Sequence, residues 1–149
     1  MFEQQGEPLQ ALRGLSGTPV AIPAIAGAAD TAIAQSGGAP ALYASANTIY
    51  FARALSATPS LNGIYRYATG DTAPTLVVSA DGVTNMIVDA DTIYFLRQNT
   101  DNLFKAPRAG GTAVAVATAS GYKLVALDAS YVYLLPSGCC QSSLLKALK

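Results

Sequence analysis

Asp89 and Asp128 stand at matching places in two copies of one pattern, VDADTIYF (88–95) and LDASYVYL (127–134). Ser45 holds the same place in an earlier copy, ASANTIYF (44–51). A short carboxylate at the end of a strand accepts a backbone N–H from the turn that follows, so both aspartates read as turn caps. The same residues also raise a metal reading, with Asp89, Asp91 and Asp101 as oxygen ligands for calcium. Calcium takes about six to eight oxygens, and the first copy offers Ser45 and Asn47 instead, so no metal site is assigned. Histidine is absent from the chain, which removes the commonest general acid/base and metal ligand. No catalytic residue and no cofactor are assigned.

Three further sets recur. Arg66, Lys105 and Lys146 share one register, and Arg53 and Arg97 share another. Repeated charge of this kind reads as a solvated edge that discourages edge-to-edge pairing. The alternative is a positive ring that takes an acidic ligand. Tyr50, Tyr94 and Tyr133 also match. They read as aromatic packing between repeated units, each hydroxyl reaching a backbone partner; the alternative is a sugar-stacking surface, although the chain has no Trp. Cys139 and Cys140 are adjacent and are the only cysteines. They read either as a strained vicinal disulfide, which suits an oxidising compartment, or as unpaired thiols, which suit a reducing one. A metal or redox role is the weakest alternative, because nothing nearby is electropositive.

The elements that would position these groups are repeated strands. ALYASANTIYF (41–51), NMIVDADTIYF (85–95) and LVALDASYVYL (124–134) align without gaps, and their Ile-Tyr or Val-Tyr pairs begin 44 and 39 residues apart. A second landmark follows each: GIYRYATGD (63–71), NLFKAPRAGG (102–111) and SLLKAL (143–148). Short runs rich in Val, Ile, Tyr and Phe, separated by Gly, Ser and Asp, are strand grammar. Four short strands in about 40 residues make a propeller blade. The expected fold is therefore all-β, an incomplete array of β-propeller blades of four antiparallel strands, a to d. Strands a to d fall at 41–45, 48–53, 62–67 and 74–79 in one blade, and at 84–89, 92–97, 102–106 and 112–117 in the next. A third blade has strands a to c at 123–128, 131–135 and 143–147. The organisation expected is a disordered 1–8, a partial blade (strands c and d) at 9–22, and a connection at 23–40 with a short helix near 28–34. Blades then follow at 41–79, 83–117 and 123–148, the last without its fourth strand.

VDADTIYF followed by NLFKAPRAGG resembles the YWTD-type propeller repeat of lipoprotein-receptor ectodomains, and is similar to bacterial TolB-like six-bladed propellers. The resemblance covers about residues 9–148. It implies a six-bladed propeller class and, weakly, an extracytoplasmic setting. It carries no ligand-binding residues over. The Trp of the family motif is here Phe51, Phe95 and Leu134. The Thr-Asp after it is Ala52-Arg53, Leu96-Arg97 and Leu135-Pro136. That family Asp helps tie neighbouring blades, so inter-blade bonding is left undetermined.

Composition narrows the partners. Hydrophobic residues make up 51% of the 149 and charged residues 12%, so the chain is built to form a core. Nine basic and nine acidic residues cancel, which leaves no excess to attract nucleic acid. No run reaches the ~20 apolar residues of a membrane span, and the acidic start, MFEQQGEPLQ, does not read as a secretory signal. The reading is a non-catalytic binding or scaffold module whose partner, protein or small ligand, is unknown. An enzyme with a channel site built within a larger propeller, or a lectin-like propeller, is the alternative. Three blades cannot encircle a channel, so the module is expected to be a fragment of a longer propeller or to close as a homodimer completing six blades, the second strand c at 9–13 favouring the longer parent.

Overall fold

The computed structural model describes residues 10–11, 20–21, 35–36, 39–45, 47–54, 59–98, 100, 102–137 and 143–149. Among them there is no α-helix, only one 3₁₀ turn at Pro59–Leu61. Everything else regular is strand. Four two-residue strands come first: β1 (Gln10–Ala11), β2 (Val20–Ala21), β3 (Gln35–Ser36) and β4 (Ala39–Pro40). β1 pairs with β2 and β3 with β4, both antiparallel.

Three larger sheets follow in chain order. The first is the meander β5 (Leu42–Ser45), β6 (Thr48–Arg53), β7 (Gly63–Ala68) and β8 (Thr75–Ser79). The second is β9 (Val83–Val88), β10 (Thr92–Arg97), β11 (Asn102–Pro107) and β12 (Val114–Thr118). The third is β13 (Tyr122–Leu127), β14 (Tyr131–Pro136) and β15 (Leu145–Leu148). Every pairing is antiparallel between neighbours in sequence, and none of the sheets closes into a barrel. The chain is thus an open, all-β array of blades, two of them four-stranded.

Period-2 alternation explains how the blades stack. On β10, Ile93 and Phe95 turn towards the first sheet, while Tyr94 and Leu96 turn towards the third. The first junction joins Tyr50, Ala52, Ile64 and Val78 to Val83, Met86, Ile93 and Phe95. The second joins Tyr94, Leu96 and Leu103 to Leu124, Val132 and Leu134. β9 lies against β5 on one side and β13 on the other. Both four-stranded sheets shift register once between their third and fourth strands, at Ile64/Tyr65 and at the matching Leu103/Phe104. Gly82 and Gly121 open the second and third sheets with φ of 62° and 72°, a left-handed turn that favours glycine.

The expected strands therefore lie within a residue or two of the observed ones. The β1–β2 pair has the register of β11–β12: Gln10 faces Ala21 as Phe104 faces Ala115. The 23–40 connection carries the β3–β4 pair at its end; 28–34, where a helix is expected, lies outside the described residues, as does 1–8.

Candidate functional site

The strongest polar feature runs along one end of the array, where the a–b and c–d turns lie. The residue following strand c in each sheet donates its N–H to the a–b turn of its own sheet: Thr69 to Asn47 O, Arg108 to Asp91 O and Lys149 to Ser130 O. The Arg108 and Lys149 side chains go on to reach the preceding sheet. Lys149 Nζ donates to Asp89 Oδ2, an ion pair between the third and second sheets. Arg108 Nε donates to the Tyr50 hydroxyl at 2.7 Å, tying the second sheet to the first. Its guanidinium also lies 5.4 Å from the Tyr50 ring centroid. Arg108 Nη1 adds contacts to Ala90 O at 3.2 Å and Asp89 O at 3.4 Å.

Asp128 Oδ1 accepts from Ser130 N and Tyr131 N, each at 2.7 Å, closing the a–b turn of the third sheet. Its Oδ2 accepts from the Tyr133 hydroxyl at 2.6 Å. The tyrosine hydroxyl and then the two amides hold the Asp128 carboxyl below the usual carboxylate range. The same bond pushes the Tyr133 hydroxyl up. Asp89 differs: Oδ1 accepts from Ala90 N at 2.8 Å, while Oδ2 is given to Lys149. The lysine bond and then the Ala90 amide lower its carboxyl.

Tyr50 and Tyr94 are buried between sheets, 1% and 3% exposed. Tyr133 is half-buried on the third sheet's outer face. The hydroxyls of Tyr50 and Tyr133 meet side chains, not the backbone partners expected. Arg53 corrects the solvated-edge reading. It is 3% exposed on β6, a strand paired on both sides, with β5 and β7, and so not at the sheet edge. Arg97 is half-buried too; its Nε donates to Asp81 O at 2.8 Å and its guanidinium lies 5.4 Å from the Phe104 ring centroid. Arg66 and Lys146 are exposed, Arg66 pairing with Asp71 at 3.6 Å and Lys146 standing 4.6 Å from the Tyr131 ring centroid.

Between the first and second sheets, at this same end, lies a cleft of about 380 Å³ lined by Thr48, Tyr50, Arg66, Ala90, Asp91 and Arg108, among others. It brings together Arg66, Tyr50 and Asp91, which the sequence pattern singles out separately, and adds Arg108, which that pattern does not isolate. The signal for Arg108 was present: KAPR (105–108) and KALK (146–149) each end on a cation three residues after the shared lysine. Asp101, Cys139 and Cys140 lie outside the described residues. Among the described residues, no three His, Cys, Asp or Glu side chains gather as metal ligands would, and no helix is long and apolar enough to cross a membrane. No protein-family model, curated protein or solved structure matches this chain.

Proposed function

We propose that this chain is a non-catalytic binding or scaffold module that associates through the outer face of its third sheet with a second copy of itself. The carrying observation is the contrast between equivalent positions. Ala52 and Leu96 are 0% and 6% exposed at the two filled junctions, whereas Leu135, in their register, is 45% exposed. Leu148, on the same face of β15, is 70% exposed. Leu135 and Leu148 stand towards the two ends of the face, with Tyr133 and Lys146 between them, and apolar side chains exposed where the equivalent positions are buried mark an interaction site. The outer edge of β15 pairs with no strand among the described residues, leaving backbone donors and acceptors open.

Charge favours a second copy as occupant. Lys123, opposite Leu135, stands at one end of the face, and Asp128, bonded to Tyr133, stands at the other. A two-fold axis across the strands sets Asp128 of each copy against Lys123 of the other, a self-complementary arrangement.

Sedimentation equilibrium over the micromolar range tests this reading. The expected result is a concentration-dependent dimer, weakened at least tenfold by Leu135→Lys and by Asp128→Lys, and restored when Asp128→Lys is combined with Lys123→Asp. A monomer throughout the range, or a dimer indifferent to all three changes, would overturn it.

A further inference from the structure

The two inter-sheet junctions follow one plan and differ by one charge. At the second junction the cation after strand c, Lys149, meets the carboxylate of Asp89 at the end of the preceding sheet's strand a. At the first junction Arg108 holds the place of Lys149, with the same backbone bond into its own a–b turn. The place of Asp89 is held there by Ser45. No carboxylate among the described residues forms an ion pair with Arg108. Its Nε and Nη1 are used on the Tyr50 hydroxyl and two carbonyls, and its Nη2 donates to no described residue.

The guanidinium therefore faces the cleft with its charge met by dipoles. The cleft has a second cation, Arg66, whose side chain is 44% exposed and whose partner Asp71 stands at 3.6 Å while also accepting from Ala68 N. Asp91 is the one carboxylate among the described lining residues and offsets part of this charge. Thr48 adds a hydroxyl. A guanidinium whose Nη2 is open is matched by a carboxylate oxygen, in a charge-assisted hydrogen bond.

We propose that the cleft between the first and second sheets binds a small organic carboxylate, which takes the place at Arg108 that the Asp89 carboxylate takes at Lys149. Arg66 and Thr48 supply further donors, and Asp91 selects against multiply charged anions by repulsion. The cleft and the proposed docking face lie on opposite sides of the second sheet, so either can fail without the other.

The test is titration of the full chain with acetate, glycolate, succinate and inorganic phosphate, followed through the arginine Nε–H signals and by calorimetry. The expected result is saturable binding of the monocarboxylates with perturbation of Arg108. Arg108→Gln should weaken it at least tenfold. Ser45→Asp should weaken it as much, because it supplies the carboxylate from within, and should raise the thermal midpoint as the new ion pair forms. This second variant separates loss of the site from loss of the fold. Absence of saturable binding below about 10 mM, tighter binding of phosphate than of acetate, or affinity unchanged in Ser45→Asp would each overturn the proposal.

Discussion

A hydrogen bond between two ionisable side chains leaves a mark at both ends of the pH scale, and Asp128 with Tyr133 is such a pair. The folded pKa of Asp128 lies below its ordinary value, chiefly because Tyr133 donates to it. Its contribution to stability is thus complete above about pH 4, the unfolded value, and is lost as pH falls through the lower folded value. The folded pKa of Tyr133 is raised by the same bond. That contribution is complete below about pH 10 and is lost as pH rises through the raised value. Asp128 is exposed and Tyr133 only half-buried, so solvent screens the bond and the effect is modest. Asp128→Ala should lower the thermal midpoint by a near-constant amount between about pH 5 and pH 9, and the gap from the parent should close towards both extremes. Thermal unfolding of the two proteins across pH checks this. A gap that stays open in acid would show that the carboxylate's charge contributes nothing there.

At the scale of elements, Gly63 stands where the first sheet leaves no room for a side chain. It opens β7 opposite Ser79 of β8, just before the register shift at Ile64/Tyr65. A methyl group there would overlap the Val78 carbonyl oxygen and stand 2.6 Å from Leu76 Cδ1. The carbonyl belongs to the backbone of a paired strand and cannot turn aside. Gly63→Ala should therefore cost about 1–3 kcal/mol or more through overpacking. Asn102→Ala, at the matching position of the second sheet, should cost well under 1 kcal/mol, as is usual for substitutions away from such contacts. Chemical denaturation of both variants measures the difference, and equal losses would contradict the close approach. The strands themselves were legible from the repeat, because period-2 alternation and a ~40-residue spacing say which residues pair and which face they share. Aligned columns say less about surroundings. Arg53 sits in a column that reads as solvated edge, yet its strand lies second in the sheet with a partner on each side. Arg108 and Lys149 fall just beyond the aligned strands, so their shared role appears only when the ends of strand c are superposed. Neighbouring sheets are tied from these positions, by Arg108 on Tyr50 and Lys149 on Asp89.

For the whole molecule, stacked sheets touch mainly their neighbours, so stability is a sum of sheets and junctions, not a single indivisible quantity. The second junction offers a clean probe. Asn85 of β9 accepts the N–H of Leu124 of β13 at 2.9 Å, a side chain of one sheet satisfying the backbone of the next. Leu124 is 6% exposed, so water cannot readily replace the lost acceptor. Asn85→Ala should cost about 1–3 kcal/mol, and Asn85→Asp, which keeps an acceptor oxygen, distinctly less. The loss should be local. The junction of the first and second sheets, packed on Val83, Met86, Ile93 and Phe95, does not touch this bond. In hydrogen exchange, the amides of β13 and β14 should lose protection in Asn85→Ala while those of β6 and β7 keep theirs. A uniform loss over all three sheets would mean that the array opens as one unit, and the additive picture of its stability would have to be given up.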